Sequence, residues 1–246
     1  MRLRKVILVM SSVLLLAITV GPVHAGFEDF LKSTLENVLK GETGLTENEI
    51  VRGLKEALEI GTDNSVTVLS RIDGFYKDPD VKIFLPEKVK QAESLLRTAG
   101  FGAQVDAFEL SMNRAAEKAA PEARKLFWDA IAQITFDDAR KILEGRDNEA
   151  TLYFKEKTSA QLIELFMPIA HGAMASVGVT RAWQDLDSKM KLIPFMDTFR
   201  FDLDAYVTGK TLDGLFFMVE QEEIKIRQDP AARVTELLQK VFKQAQ

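Results

Sequence analysis

The sequence has no cysteine and only two histidines, and these shortages exclude several kinds of functional site. Without cysteine there is no disulfide framework, no thiol nucleophile, no zinc–thiolate site and no iron–sulfur cluster held by thiolates. A Ser-His-Asp hydrolase needs a histidine base, and His171 is the one histidine beyond the N-terminal segment. Its apolar surroundings, Pro168–Gly172, favour a buried, hydrogen-bonded or ligand-gating histidine over a catalytic one.

Motifs that cradle phosphates, nucleotides or metals are also missing. The sequence contains no Gly-x-Ser-x-Gly elbow, no phosphate-binding loop and no dinucleotide fingerprint. Acidic residues occur in several predicted loops, but none of these groups has the spacing of a calcium-binding EF-hand loop. The sequence therefore predicts no cofactor and no metal site.

The first 25 residues have the composition of a targeting segment. Three basic residues precede an apolar run of roughly 15 residues, which is shorter than the ~20 residues needed to span a bilayer. Gly21 and Pro22 end this run, and Val23–Ala25 is typical of a cleavage site. We predict a secretory signal peptide at residues 1–25, followed by a single domain over residues 26–246. That domain is predicted to be periplasmic or secreted and to have no transmembrane segment after cleavage.

Basic residues are fewer than acidic ones, 32 against 37. Cleavage removes three basic residues and no acidic residue, so the formal charge goes from −5 to −8. Nucleic-acid binding needs a basic surface for phosphate contacts, and anionic lipid headgroups need the same. The sequence therefore predicts no nucleic-acid partner and no electrostatic binding to anionic lipids.

Proline and glycine are scarce, and apolar residues recur at helical spacing almost throughout the chain. Thr46 and Glu49 form a capping-box pattern at one helix start. Gly61 is predicted to end a helix, Pro121 to start a new one, and Pro168 to kink or end the helix that contains it. The pattern predicts an all-α fold, a single compact bundle of about nine or ten helices, of which the first covers residues 27–39.

One segment departs from the helical pattern. Val81, Ile83 and Leu85 alternate with Lys82 and Phe84, which is a period of two and precedes a proline. The sequence therefore predicts at most one short extended ribbon, near residues 78–85.

The helix over residues 101–119 carries polar residues opposite its apolar face, among them Asn113 and Glu117. One interpretation is a solvated helix face. The other is a polar seam inside the bundle, in which Glu117 pairs with Arg227 or Arg233 and Asn113 bonds a facing backbone group. A carboxylate pair of Glu117 with Glu223 would allow acid–base chemistry on a glycan.

Several phrases of the sequence resemble a family of bacterial envelope proteins known as domain of unknown function 4197. Together they cover nearly the whole chain after residue 25, but the lipid-anchor cysteine that some such envelope proteins carry is missing. The resemblance implies a secreted, mainly helical domain, and it implies no activity. The phrases include Ile50–Leu58, Asp73–Phe75, Ile83–Pro86, Met112–Glu117, Asp137–Ala139, Ile142–Gly145, Thr151–Phe154, Asp213–Phe216, Glu222–Glu223 and Asp229–Arg233.

These observations favour a non-catalytic binding or interaction module, with a cleft for a small apolar ligand or a partner protein of the envelope. The alternatives are a carboxylate-based envelope hydrolase and a purely structural envelope protein. The candidate binding residues are polar groups within the family-like phrases that are able to complete opposite-charge pairs. They are Asn113, Arg114, Glu117, Asp138, Tyr153, Glu223, Arg227 and Arg233.

Overall fold

The computed structural model describes residues 46–192 and 202–243, and within these ranges the regular structure is all helical. This confirms the predicted all-α fold, although the described part contains eight α-helices rather than nine or ten. The predicted signal peptide and the predicted helix over residues 27–39 lie outside the described residues. The helices are α1 (Glu47–Leu69), α2 (Glu87–Thr98), α3 (Gly102–Ile131), α4 (Phe136–Leu143), α5 (Glu149–Val177), α6 (Val179–Met190), α7 (Leu203–Gln228) and α8 (Glu236–Lys243), with a 3₁₀ turn at Pro230–Ala232.

The structure has fewer helices than predicted because Gly61, Pro121 and Pro168 lie inside continuous helices. Gly61 lies inside α1, where a Cβ atom would already be 3.4 Å from the Glu222 Cβ on α7. Pro121 lies inside α3 and Pro168 inside α5. Each proline removes one backbone hydrogen bond. Around Pro121 an alanine-rich, buried stretch favours the helical state strongly enough to continue it.

Helix α3 lies at the centre of the bundle and packs against α1, α2, α5, α6 and α7. Its buried face includes Val105, Phe108 and Met112, all fully buried. The predicted capping box starts α1, because the Glu49 N–H donates to the Thr46 hydroxyl and the Thr46 N–H donates to the Glu49 carboxylate. The buried core thus fixes α3 and its neighbouring helices, and the non-helical segments pack against them.

The segment Lys82–Leu85 is the predicted extended piece, and no strand pairs with it among the described residues. Its burial alternates, because Val81, Ile83 and Leu85 are buried while Phe84 is 50% exposed. Pro86 then caps α2. The period of two is therefore confirmed, but the segment is a single extended stretch that lies against helices.

Helix α5 has an apolar outer surface. One window of Glu149–Val177 has a mean hydropathy of 1.2 and is only 28% buried, which makes α5 the one described helix long and apolar enough to cross a membrane by length and composition. Ile163 and Leu165 are among its exposed apolar side chains. The same helix packs along α3 and α7 within the bundle.

Candidate binding groove

A groove of about 810 Å³ lies on the surface of the described residues, and we call it the binding groove. One wall is the extended segment with the start of α2, and the other walls are the first turns of α5 and the length of α7. Its floor includes Gly214, where a Cβ atom would lie 2.7 Å from the Phe75 ring, so glycine is required there. The lining includes Asp80, Val81, Lys82, Phe84, Leu85, Glu87, Lys90, Thr151, Leu152, Lys155, Tyr206, Lys210, Asp213, Gly214, Phe216, Phe217 and Glu220.

Charges of both signs and accessible aromatic rings share this groove. Four lysines and four acidic residues line it, so it has no excess of either charge. Lys155 pairs with Asp213 at 2.9 Å and lies 5.6 Å from the centre of the Phe216 ring. Lys82 lies 5.5 Å from the centre of the exposed Phe84 ring. The groove therefore offers rings for packing and charges that are already partly neutralised.

Asn113 holds the wall formed by the extended segment. It is fully buried on α3, its Oδ1 accepts from the Ile83 N–H at 2.9 Å, and its Nδ2 donates to the Ile83 C=O at 2.8 Å. A segment outside regular structure cannot satisfy its own buried backbone groups, so a side-chain amide has to do so. Asn113 thus bonds a facing backbone group, as the seam interpretation predicts.

Glu117 and Arg114 hold the turn that leads to this wall. Glu117 is 4% exposed, and its Oε1 accepts from the N–H groups of Phe75 and Tyr76, both at 3.2 Å. Arg114 bridges Glu117 and Asp73, each at 2.6 Å. Asp73 has a left-handed φ of 71°, a conformation that aspartate tolerates better than most residues. The neighbouring Lys77 and Arg114 cations lower the pKa of Asp73, so its carboxylate stays charged and keeps the turn in place.

Glu223 holds the wall formed by α5. It is 2% exposed and accepts from the Ala150 N–H at 3.0 Å and from the Thr151 N–H and hydroxyl, both at 2.7 Å. These N–H groups belong to the first turn of α5, where a carboxylate also interacts favourably with the helix dipole. Burial raises the pKa of Glu223, and Arg227, at 2.9 Å, opposes that rise.

Arg227 and Arg233 close the ends of two other helices. Arg227 Nη2 donates to the Ile142 C=O at 2.9 Å, at the end of α4. Arg233 Nε donates to the Ile226 C=O at 2.9 Å, in the last turn of α7. A guanidinium satisfies the unpaired carbonyls at a helix C-terminus and complements its negative dipole end.

The predicted residues therefore fall into separate clusters and form no single site. The predicted pairing of Glu117 with Arg227 or Arg233 is wrong, because Glu117 pairs with Arg114 on its own helix. Glu117 and Glu223 share no partner, since each carboxylate binds backbone N–H groups of a different segment. What the clusters have in common is that each fixes a backbone segment, and Asn113 and Glu223 fix two walls of the binding groove.

Asp138 and Tyr153 form a third, smaller cluster. Asp138 accepts from the backbone N–H and hydroxyl of Thr135 at the start of α4, and Tyr153 on α5 hydrogen-bonds to the same carboxylate. Burial, and then this hydrogen bond, raise the pKa of Tyr153 to about 12. The pair ties α4 to α5, outside the lining of the binding groove.

The Tyr153 hydroxyl provides a pH-dependent test of this contact. Because its pKa is raised from 10.0 to about 12, its stabilising contribution is complete below pH 10 and is lost as the pH rises through 12. Burial also raises the pKa of Tyr206. In an ultraviolet titration of the three tyrosines, we therefore expect Tyr153→Phe to leave the ionisation of Tyr206 in place and to remove one further late step. Asp138→Asn should shift that step to lower pH, and an unchanged midpoint would contradict the contact.

His171 agrees with its prediction only in part, because it is hydrogen-bonded but not buried. It is exposed on α5, not buried, and its Nδ1 lies 2.9 Å from the Asp204 carboxylate at the start of α7. Both residues border a second concavity of about 740 Å³, whose apolar lining includes Ile163, Met167 and Pro168. The exposed apolar side of α5 therefore surrounds the histidine.

A third concavity, of about 470 Å³, lies beside Arg114 and Glu117 and includes the highly exposed Ile72. Among the described residues, no three histidine, aspartate or glutamate side chains lie close enough to hold a metal ion together.

None of the side chains that line the binding groove is among the eight predicted binding residues. Lys155, Tyr206 and Phe217 lie on helices where their spacing does not distinguish a groove from ordinary surface. The extended segment is the exception, because its alternating pattern places Lys82 and Phe84 on the side opposite the buried Ile83 and so indicates that they face outward. Asn113 and Glu223, which hold two walls of the groove, are predicted because they are polar groups in the family-like phrases.

Comparison with known proteins gives one family. The signature of a family described as "Protein of unknown function (DUF4197)" matches residues 44–243, which include all eight helices. No curated protein and no solved structure matches the chain.

Proposed function

The chain belongs to the DUF4197 family, and on that premise we propose that it is a non-catalytic binding module whose binding groove holds a segment of a partner polypeptide. The observation that supports this proposal is a large groove with two walls whose backbone is hydrogen-bonded to the buried side chains of Asn113 and Glu223. A groove that is already formed loses little conformational entropy when it binds.

The chemistry of the groove favours a polypeptide over the other ligands considered. Equal numbers of lysines and acidic residues do not select a strongly charged ligand. Half-buried Tyr206 and Phe217 and the exposed Phe84 ring provide surface for apolar side chains. A polypeptide presents apolar, charged and hydrogen-bonding groups along one chain, which is the mixture that the lining offers.

The proposal is tested with linear peptides. A phage-displayed library of peptides of about nine residues, each reaching about 30 Å when extended, is selected against the protein, and the tightest binder is synthesised. Phe217→Ala should weaken its binding at least about tenfold, because aromatic anchors in a groove carry a large part of the binding free energy. The affinity is measured by isothermal titration calorimetry.

Trp128→Ala is the matched control, since Trp128 is an exposed aromatic residue on α3 that does not line the groove. Its affinity for the peptide should stay within about twofold of the parent, because surface residues outside a binding site contribute little. Failure to select any binding peptide, or equal losses in both variants, would refute the proposal. Thermal unfolding of each variant confirms that the fold is intact.

We also propose that the protein is exported. The support is the basic and apolar composition of residues 1–25 and the small residues that end it. Mass spectrometry of the protein recovered from the envelope fraction should give the mass of residues 26–246. The full-length mass in the cytoplasmic fraction would contradict export and cleavage after Ala25.

A second candidate function is binding of an apolar chain along α5. It is favoured by the concavity beside Ile163, Met167 and Pro168 and by the exposed Leu165. A fluorescent fatty acid is a suitable probe, and Ile163→Asp should abolish its binding while leaving peptide binding unchanged. No uptake of the fatty acid by the parent protein would eliminate this candidate.

A further inference from the structure

The extended segment has two backbone edges. Among residues 46–192 and 202–243, Asn113 pairs the inner edge at Ile83, and the outer edge is paired only in part. Ile83 presents its N–H and its C=O to the same Asn113 amide. One residue directs both groups to one side where the backbone is extended, as in a hydrogen-bonded pair of antiparallel strands. The Asn113 amide therefore takes the place of a neighbouring strand on the inner edge.

The outer edge carries the polar groups of Lys82 and Phe84, because successive residues of an extended chain direct them to opposite sides. The Phe84 C=O accepts from the Tyr206 hydroxyl at 3.0 Å, so this edge faces α7. Phe84 and Tyr206 both line the binding groove. The outer edge of the segment is therefore an edge of the groove.

Two backbone groups on this outer edge have no partner among residues 46–192 and 202–243. These are the Phe84 N–H and the Lys82 C=O, whereas the Lys82 N–H donates to the Asp78 C=O at 2.9 Å. A donor and an acceptor left open on an extended edge form a template for another extended chain. An apolar ligand would leave both groups unsatisfied.

Resting on the proposed function, we propose that the partner segment binds by strand addition to Lys82–Leu85. Its backbone accepts from the Phe84 N–H and donates to the Lys82 C=O, so affinity comes from main-chain hydrogen bonds. Its alternate side chains lie over the Phe84 and Phe217 rings. The partner is thus an extended polypeptide with apolar or β-branched residues at every second position.

Amide hydrogen exchange of the isotope-labelled protein tests this binding mode, with the peptide selected above as the probe. Binding should slow exchange of the Phe84 amide by at least about tenfold, because a new hydrogen bond protects it. The Ile83 amide is the internal control, since Asn113 already protects it with and without peptide. Peptide binding without protection of the Phe84 amide would overturn strand addition and leave the proposed function standing.

A pair of variants at one position separates the backbone group from the side chain. Phe84→Pro removes the N–H, and it suits an extended segment because proline favours extended backbone at the preceding residue. Phe84→Ala removes the ring and keeps the N–H. Phe84→Pro should bind the peptide about threefold to tenfold more weakly than Phe84→Ala, which corresponds to one backbone hydrogen bond. Equal affinities would overturn strand addition, and absence of any binding peptide would refute both proposals.

Sedimentation analysis distinguishes a partner from a second copy of the chain. A monomer that binds the peptide with Phe84 protected supports addition of a foreign strand. A dimer in which the Phe84 amide is protected without peptide would overturn it, since the edge would then be occupied by another copy of the chain.

Discussion

Glu223→Ala is expected to lower the free energy of unfolding by about 3–5 kcal/mol, the largest loss of stability that we predict. The substitution removes the carboxylate that pairs with the buried Arg227 guanidinium at 2.9 Å. It also leaves the Ala150 and Thr151 N–H groups at the start of α5 without their acceptor. Urea unfolding followed by circular dichroism measures the loss.

Two further variants test whether buried charge causes the loss of stability expected for Glu223→Ala. Glu222→Ala, on the neighbouring residue, removes a carboxylate whose partner Lys225 is exposed and should cost less than about 1 kcal/mol. The double variant Glu223→Ala with Arg227→Met should lose less stability than the sum of the two single variants, because the cation that Glu223 neutralises is removed as well. A loss for Glu223→Ala as small as that for Glu222→Ala would contradict this explanation.

Asn113→Ala is expected to cost about 2–4 kcal/mol, because it leaves the N–H and C=O of the buried Ile83 unpaired at once. The effect should be local as well as global, since the extended segment loses its contact with α3. Urea unfolding measures the free energy, and hydrogen exchange of the Ile83 amide should become faster.

Asn64→Ala provides the matched control for this prediction. Asn64 is exposed on α1 and donates to Glu222 at 2.7 Å, so its removal leaves groups that water can reach. Its loss should stay below about 1 kcal/mol. If Asn113→Ala destabilises the protein no more than Asn64→Ala, then Asn113 does not hold the groove wall.

Much of the fold follows from local sequence pattern. Thr46 and Glu49 start a helix where the capping box places it, and alternation at Val81–Leu85 gives the buried and exposed sides of the extended segment. Pro121 and Pro168 show the limit of such reasoning. A proline costs one hydrogen bond locally, whereas packing of a long helix against several neighbours outweighs that cost and is not visible in a short window.

The candidate site was predictable only in part, for a related reason. Asn113 and Glu223 attract notice because buried polar groups must find partners. Their partners are backbone groups of distant segments, Ile83 and Ala150–Thr151, and backbone groups carry no residue-specific signal. The sequence pattern therefore predicts distant arginines as partners of Glu117, whereas Arg114, three residues away, pairs with it.

Chemical-shift mapping of the isotope-labelled protein with the selected peptide is the most direct test of the central claim. If the binding groove holds a polypeptide segment, the amide signals that move should belong to residues 80–87, 151–155 and 206–220, and Phe84 should be among the most affected. Shifts concentrated beside Pro168 and His171, or beside Arg114 and Ile72, would place binding in another concavity and contradict the account.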